Sequence, residues 1–165
     1  GGFYGLLGPN GAGKSTTIGI LCGLLTKTSG AVCINGFDMD THPSDAKRCL
    51  GIVPQEFNFN IFEPCLQTVA NHAGYYGVPR KEALKRANHL LDELGIGDKK
   101  NVASGKLSGG MKRRLMIARA LAQQPEVMVL DEPTAFLDLP RRVEMMALLK
   151  KYRESSNPAA AASGN

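Results

Sequence analysis

Eight residues near the start of the chain, Gly8-Pro9-Asn10-Gly11-Ala12-Gly13-Lys14-Ser15, fit the pattern GxxxxGK[ST], and they constrain the fold more than any other stretch. Glycines let successive backbone N–H groups turn inward around phosphate oxygens, where side chains would obstruct the approach. The helix expected from Lys14 points the positive end of its dipole at the same charge. Lys14 is then placed to reach the outer phosphates of a nucleotide, and the Ser15 hydroxyl to ligate Mg²⁺. A chance glycine turn is the bland alternative. The short apolar run at residues 3–7, expected to be a buried strand, argues against it, because strand, loop and helix then follow in the order that such a site needs.

A second element complements the first. Residues 127–131, Val-Met-Val-Leu-Asp, read as a buried strand that delivers Asp131 to its carboxyl end, where it could hold Mg²⁺ through water. Glu132 comes next, placed to polarise a water for in-line attack on a γ-phosphate. Many strands end in acidic residues, so this signal gains its weight from the phosphate loop upstream.

Between the two, the pattern changes from strand to helix. The Gly30 turn leads into a strand at residues 31–34, and Asn35-Gly36 is a tight-turn signal. A short helix is expected at 45–50 and a strand at 51–54, ending at Gln55. After Pro79, the residues Ala83, Leu84, Ala87, Leu90, Leu91 and Leu94 recur at helical spacing, and Gly95 is the stop. Ser108 caps a further helix to about Gln123, which Pro125 ends. Pro140 lies near the start of a last helix through Tyr152. The expected organisation is therefore an α/β core made of residues 1–55 and 107–153, a helical subdomain at 56–106 leading into the Ser108 helix, and a flexible tail at 154–165.

Bulk properties exclude several classes. Hydrophobic residues make up 43% and charged residues 21% of the 165, ordinary values for a folded globular chain. Apolar runs such as residues 18–25 are far too short to cross a bilayer. Net charge is +5, but the basic residues, including 112–114 and 150–153, are scattered with few aromatics among them. They read as solvated surface, and no nucleic-acid partner is expected. Cys22, Cys33, Cys49 and Cys65 show no metal-ligand spacing and read as reduced thiols.

Leu107-Ser108-Gly109-Gly110-Met111 carries a family resemblance. It resembles the LSGGQ signature of the ABC ATPases, in which a serine hydroxyl and glycine N–H groups at a helix start face an anion. A plain serine cap followed by flexible glycines is the alternative for this pentapeptide alone. The order of motifs supports the resemblance: the phosphate loop, Gln55, the signature, Asp131-Glu132, then Pro133-Thr134-Ala135-Phe136-Leu137-Asp138. The resemblance spans residues 1–153 and implies a P-loop NTPase (RecA-like) core with an inserted helical subdomain, incomplete in this chain. It implies ATP and Mg²⁺ as ligands, with Gly8, Pro9, Asn10, Gly11, Ala12, Gly13, Lys14, Ser15 and Thr16 around the nucleotide. Ser15, Gln55 and Asp131 would serve the metal, and Glu132 and Gln55 the attacking water. Ser108, Gly109, Gly110 and Asp138 would complete the site of a second subunit, so that two chains sandwich two nucleotides as a homodimer or a pair with another ABC ATPase.

The finer resemblance is to the ATPase subunits of ABC-2 type exporters, carried by residues 7–18, 51–60 and 107–121. It implies ATP hydrolysis driving export by a separate integral membrane permease, at the cytoplasmic face of the membrane, with the helical subdomain as the contact. A soluble ABC ATPase of DNA repair or translation, or a catalytically incomplete fragment, is the alternative. Met111 stands where the family has Gln, with a small effect on hydrolysis expected. Phe136 replaces a small residue, and weaker pairing of subunits is expected. The family's switch histidine and adenine-stacking aromatic have no counterpart: His42, His72 and His89 all precede the signature, and Tyr4 lies too close to Gly8. The opening at Gly1 and the small, polar ending lead to the expectation of truncation at both ends and of weak or no turnover. The choice of ATP over GTP rests on the resemblance.

Overall fold

The computed structural model describes residues 4–6, 8–9, 11–131 and 139–155. The first helix, α1, is Lys14–Leu21, shorter than the 14–25 expected, because Gly23 takes a left-handed φ of 65° and turns the chain. A hairpin of β1 (Cys33–Ile34) and β2 (Phe37–Asp38) follows, with Cys33 opposite Asp38 and Ile34 opposite Phe37. Its loop is Asn35-Gly36 with φ of 50° and 85°, the double positive φ that a type I′ turn demands. Helix α2 (Pro43–Arg48) has Pro43 in its first turn, where its missing N–H costs nothing, and Lys47 and Arg48 in its last, matched to the negative end of the helix dipole.

Strand β3 (Leu50–Val53) pairs in parallel with β4 (Val127–Leu130), Leu50 opposite Val127 and Val53 opposite Leu130. Parallel partners need a crossover, and here it is the whole helical segment. That segment holds α3 (Cys65–Tyr75) and α4 (Arg80–Glu93). Two single-turn 3₁₀ pieces come next, Gly97–Lys99 and Ser104–Lys106. Then α5 (Gly109–Leu121) returns the chain to the sheet, and α6 (Leu139–Ser155) is the last element. It runs two residues into the segment expected to be a flexible tail; residues 156–165 lie outside the described residues.

Helix α5 is the centre of the larger core. Leu115, Met116, Ile117, Ala118, Ala120 and Leu121 are all buried, so its apolar surface runs round most of the helix and touches neighbours on several sides. It packs with Val69, Ala70 and Ala73 of α3, Ala83, Ala87, Leu90 and Leu91 of α4, Val53 of β3, and Met145 and Leu149 of α6. The small residues on α3 and α4 allow the close approach of these helices. A second cluster, Cys22, Ile34, Ala46, Cys49 and Leu50, joins α1, the hairpin, α2 and the start of β3.

The crossover is closed at its base by a strap. Ser104 is fully buried, its hydroxyl lies 2.8 Å from the carbonyl oxygen of Asn60 and 2.9 Å from that of Glu63, and its N–H donates to Glu63. Next to it, the Gly105 N–H donates to Ile61 O at 2.8 Å. A β-carbon at Gly105 would meet that same oxygen at 2.8 Å, so the close approach requires glycine.

Two expectations are corrected. The strand expected at residues 3–7 does not form at residues 4–6: Tyr4 and Leu6 are exposed and in no regular element, while Phe3 and Leu7 lie outside the described residues. A strand needs a hydrogen-bonded neighbour, and none among the described residues flanks this stretch. The strand at 127–130 forms, yet it is part-exposed rather than buried, Val127 being 39% exposed, because β3 is its one partner among the described strands.

Candidate nucleotide-binding site

The phosphate loop folds as its glycines require. Gly11 and Gly13 have φ of 84° and 85°, a region costly for any residue with a β-carbon. Nothing lies within 4 Å of a β-carbon built on either, so they are there for backbone conformation and not for lack of room. The Ala12 N–H donates to Pro9 O at 3.2 Å, closing the turn. Gly13 caps α1, and Lys14, Ser15 and Thr16 form its first turn, with Ser15 and Thr16 exposed. The Lys14 ammonium donates back to the loop, to Gly8 O at 2.6 Å and Pro9 O at 2.8 Å, so its charge sits inside the ring that its own backbone draws. Asn10 lies outside the described residues.

The sheet brings the metal candidates to one edge. Asp131 directly follows β4 and donates its N–H to Val53 O at 2.9 Å, while Gln55 comes two residues after Val53. Parallel register therefore sets both at the carboxyl ends of adjacent strands, where open α/β folds bind ligands. Helix α1 reaches the same sheet through Ile18 and Cys22, which pack in the smaller cluster with Leu50, Ile52 and Val129. Burial raises the Cys22 thiol above its usual pKa, and the charge of Asp131 adds to the effect, so the thiol stays protonated. Glu132 and Asp138 lie outside the described residues, as does Phe136.

Ser108, Gly109 and Gly110 form the start of α5, with Ser108 and Gly109 exposed. The Ser108 hydroxyl oxygen accepts from Met111 N–H at 3.3 Å. The cap reading and the anion reading are thus compatible, since an accepting hydroxyl keeps its own proton to donate.

Sequence reasoning missed Arg113. Its position between Lys112 and Arg114 reads as solvated charge, yet Arg113 is 1% exposed. Its guanidinium reaches the carbonyl oxygens of Pro54, Gln55 and Asp131. No local signal sets Arg113 apart from Lys112 and Arg114, because only the packing of the strands against α5 buries it. Two further cations of α5 hold the same loop, Lys112 over the Phe57 ring at 5.9 Å and Arg119 on Asn58 O at 3.0 Å and Oδ1 at 2.6 Å.

The residues fit the ligands implied. The loop is a ring of backbone around a lysine, suited to phosphate. Ser15, Gln55 and Asp131 offer hydroxyl, amide and carboxylate oxygens, the hard donors that Mg²⁺ prefers. Among the described residues no cluster of three or more His, Cys, Asp or Glu side chains is placed to hold a metal ion.

A parallel sheet with a phosphate loop, an inserted helical segment and a serine-glycine turn opening the central helix defines the P-loop nucleoside triphosphatase fold in its ABC ATPase form. The model of the family described as "ABC transporter" matches residues 1–135, and the chain belongs to that family. It is 37% identical over 152 residues to the linearmycin resistance ATP-binding protein LnrL of Bacillus subtilis, covering 92% of this chain and 49% of LnrL. It is 40% identical over 135 residues to the Nod factor export ATP-binding protein I of Burkholderia thailandensis, covering 82% of this chain and 44% of that protein. The chain thus spans about half the length of these curated relatives. Among solved structures it resembles a dimeric, post-hydrolysis state of the ATP-binding cassette MJ0796 bound to ADP and Pi. The TM-score is 0.79 at 31% identity, over 89% of this chain and 67% of that one.

Proposed function

We propose that this chain is the nucleotide-binding part of an ABC exporter, binding Mg-ATP and hydrolysing it to drive a separate membrane permease. The observation that carries the reading is the loop itself: two left-handed glycines and an inward lysine at the start of a helix. Gly8, Pro9, Asn10, Gly11, Ala12 and Gly13 cradle the phosphates, with Thr16 beside them, and Lys14 neutralises the outer ones. Ser15, Gln55 and Asp131 would hold Mg²⁺, which would supply charge neutralisation at the phosphates. Glu132 and Gln55 orient the attacking water. Positioning and charge neutralisation do most of the catalytic work in such a transfer.

Ser108, Gly109, Gly110 and Asp138 act on the nucleotide of a second chain, which fits the likeness to a solved dimeric ATP-binding cassette. Export is supported by a relative named for Nod factor export, and the ABC-2 type is the subgroup proposed. Among the described residues no helix is long and apolar enough to cross a membrane. A separate permease, met at the cytoplasmic face, is proposed from the relatives named as ATP-binding proteins of resistance and export.

Equilibrium titration of the purified chain with Mg-ATP tests the reading, with Lys14→Ala as the control. Saturable binding by the wild type that is lost in the variant is expected. Equal binding by both would overturn the assignment of the loop.

A further inference from the structure

We propose that Arg113 is a positioning residue for the metal–nucleotide site, holding the chain segments of Gln55 and Asp131 in register; the inference rests on the nucleotide-binding reading above. A guanidinium is always charged, and withdrawing it from water is costly unless its donors are used. Arg113 is 1% exposed and spends donors on the ends of both strands. One terminal nitrogen, Nη1, reaches the carbonyl oxygens of Pro54 and Gln55, and the other, Nη2, that of Asp131.

These acceptors sit where the β3–β4 ladder ends. The Asp131 N–H still bonds Val53 O, and past that point the guanidinium spans the two segments. Its planar fork suits the task, because two nitrogens in fixed geometry set a separation as well as a contact. The grip continues along α5, with Lys112 over the Phe57 ring and Arg119 on Asn58. Segment 54–58 therefore rides on the helix whose first turn is Ser108–Gly110. Groups that orient metal-binding residues from behind affect metal affinity more than they affect the rest of the ligand.

The test compares ATP affinity in excess Mg²⁺ with that in excess EDTA, using a fluorescent ATP analogue on the purified 165-residue chain, for wild type, Arg113→Lys and Arg113→Met. Lysine keeps the charge and most of the stem but cannot fork, so Arg113→Lys reports even where Arg113→Met fails to fold; thermal melts establish which variants are folded. The Mg²⁺ advantage should fall about 10-fold in a folded variant while metal-free affinity stays put. Two outcomes in the variants overturn the inference alone: an unchanged Mg²⁺ advantage in folded Arg113→Lys, or a parallel loss with and without metal. Wild type that binds the analogue with no Mg²⁺ advantage does the same, leaving the loop assignment standing. Wild type that binds in neither condition overturns both readings.

Discussion

The side-chain amide nitrogen of Gln123 donates to the main-chain oxygen of Leu50 at 2.7 Å, tying the turn after α5 to the first residue of β3 across 73 positions of chain. Its other end, Oε1, is buried and lacks a hydrogen-bond partner among the described residues. Gln123→Glu removes the donor and sets a carboxylate against a carbonyl. A loss of about 2 kcal/mol is expected, since a buried polar group without a partner costs that much. Gln123→Met, which removes the orphaned oxygen along with the bond, should cost less. Urea denaturation of both variants checks the ranking, and equal losses would contradict it.

Gly13 holds φ of 85° at the cap of α1. Gly13→Ala forces a β-carbon into the left-handed region and should cost about 1–2 kcal/mol. It should also weaken Mg-ATP binding, because the backbone N–H groups move with the strain. Thermal melts and nucleotide titration read the two effects separately; a variant as stable as the wild type would refute the backbone argument.

Ser104→Ala removes the one hydroxyl proton shared between the carbonyls of Asn60 and Glu63, which keep the main-chain N–H groups of Glu63 and Ser104 as donors. About 1 kcal/mol of stability should go with it. Because the strap closes the base of α3 and α4, amide hydrogen exchange in Cys65–Tyr75 should rise more than in α5. Uniform acceleration across the chain would show that the strap is not local.

His72 on α3 has its pKa lowered to about 4, first by burial and then by the charge of Arg119. The neutral ring packs 5.2 Å from that of Tyr76. The unfolded chain takes up a proton near pH 6.5 and the folded one does not until about 4, so stability is full above 6.5 and is lost as pH falls between those values. His72→Gln should flatten that slope. Urea midpoints at several pH values across the window check this, and parallel wild-type and variant profiles would contradict it.

Local chemistry was legible before any coordinates. Asn35-Gly36 could only be a tight turn, Ser108 stood where an N-cap belongs, and the spacing of Ala83, Ala87, Leu90 and Leu91 marked the buried face of α4. The loop from Gly8 to Ser15 likewise announced its backbone, because the left-handed φ at Gly11 and Gly13 favours glycine. Each of these rests on residues within a turn or two of one another, where steric and hydrogen-bonding rules act directly.

The rest depended on partners distant in the chain. Nothing near residues 4–6 shows that this apolar stretch stays exposed, since a strand exists only where another lies beside it. Lys112, Arg113 and Arg114 look alike in sequence, yet the fold puts the first over an aromatic ring, buries the second against two strand ends and pairs the third with Glu144 of α6. What separates them is the direction each points from α5, and that acquires meaning only once β3, β4 and α6 have packed around it. Gln55 and Asp131 lie 76 residues apart in sequence, and only parallel pairing of Val53 with Leu130 brings them to one edge. Chemical identity was thus written locally in glycines, a lysine and a serine cap, whereas the register that turns them into a site was decided by burial of α5 and by backbone hydrogen bonding across the sheet.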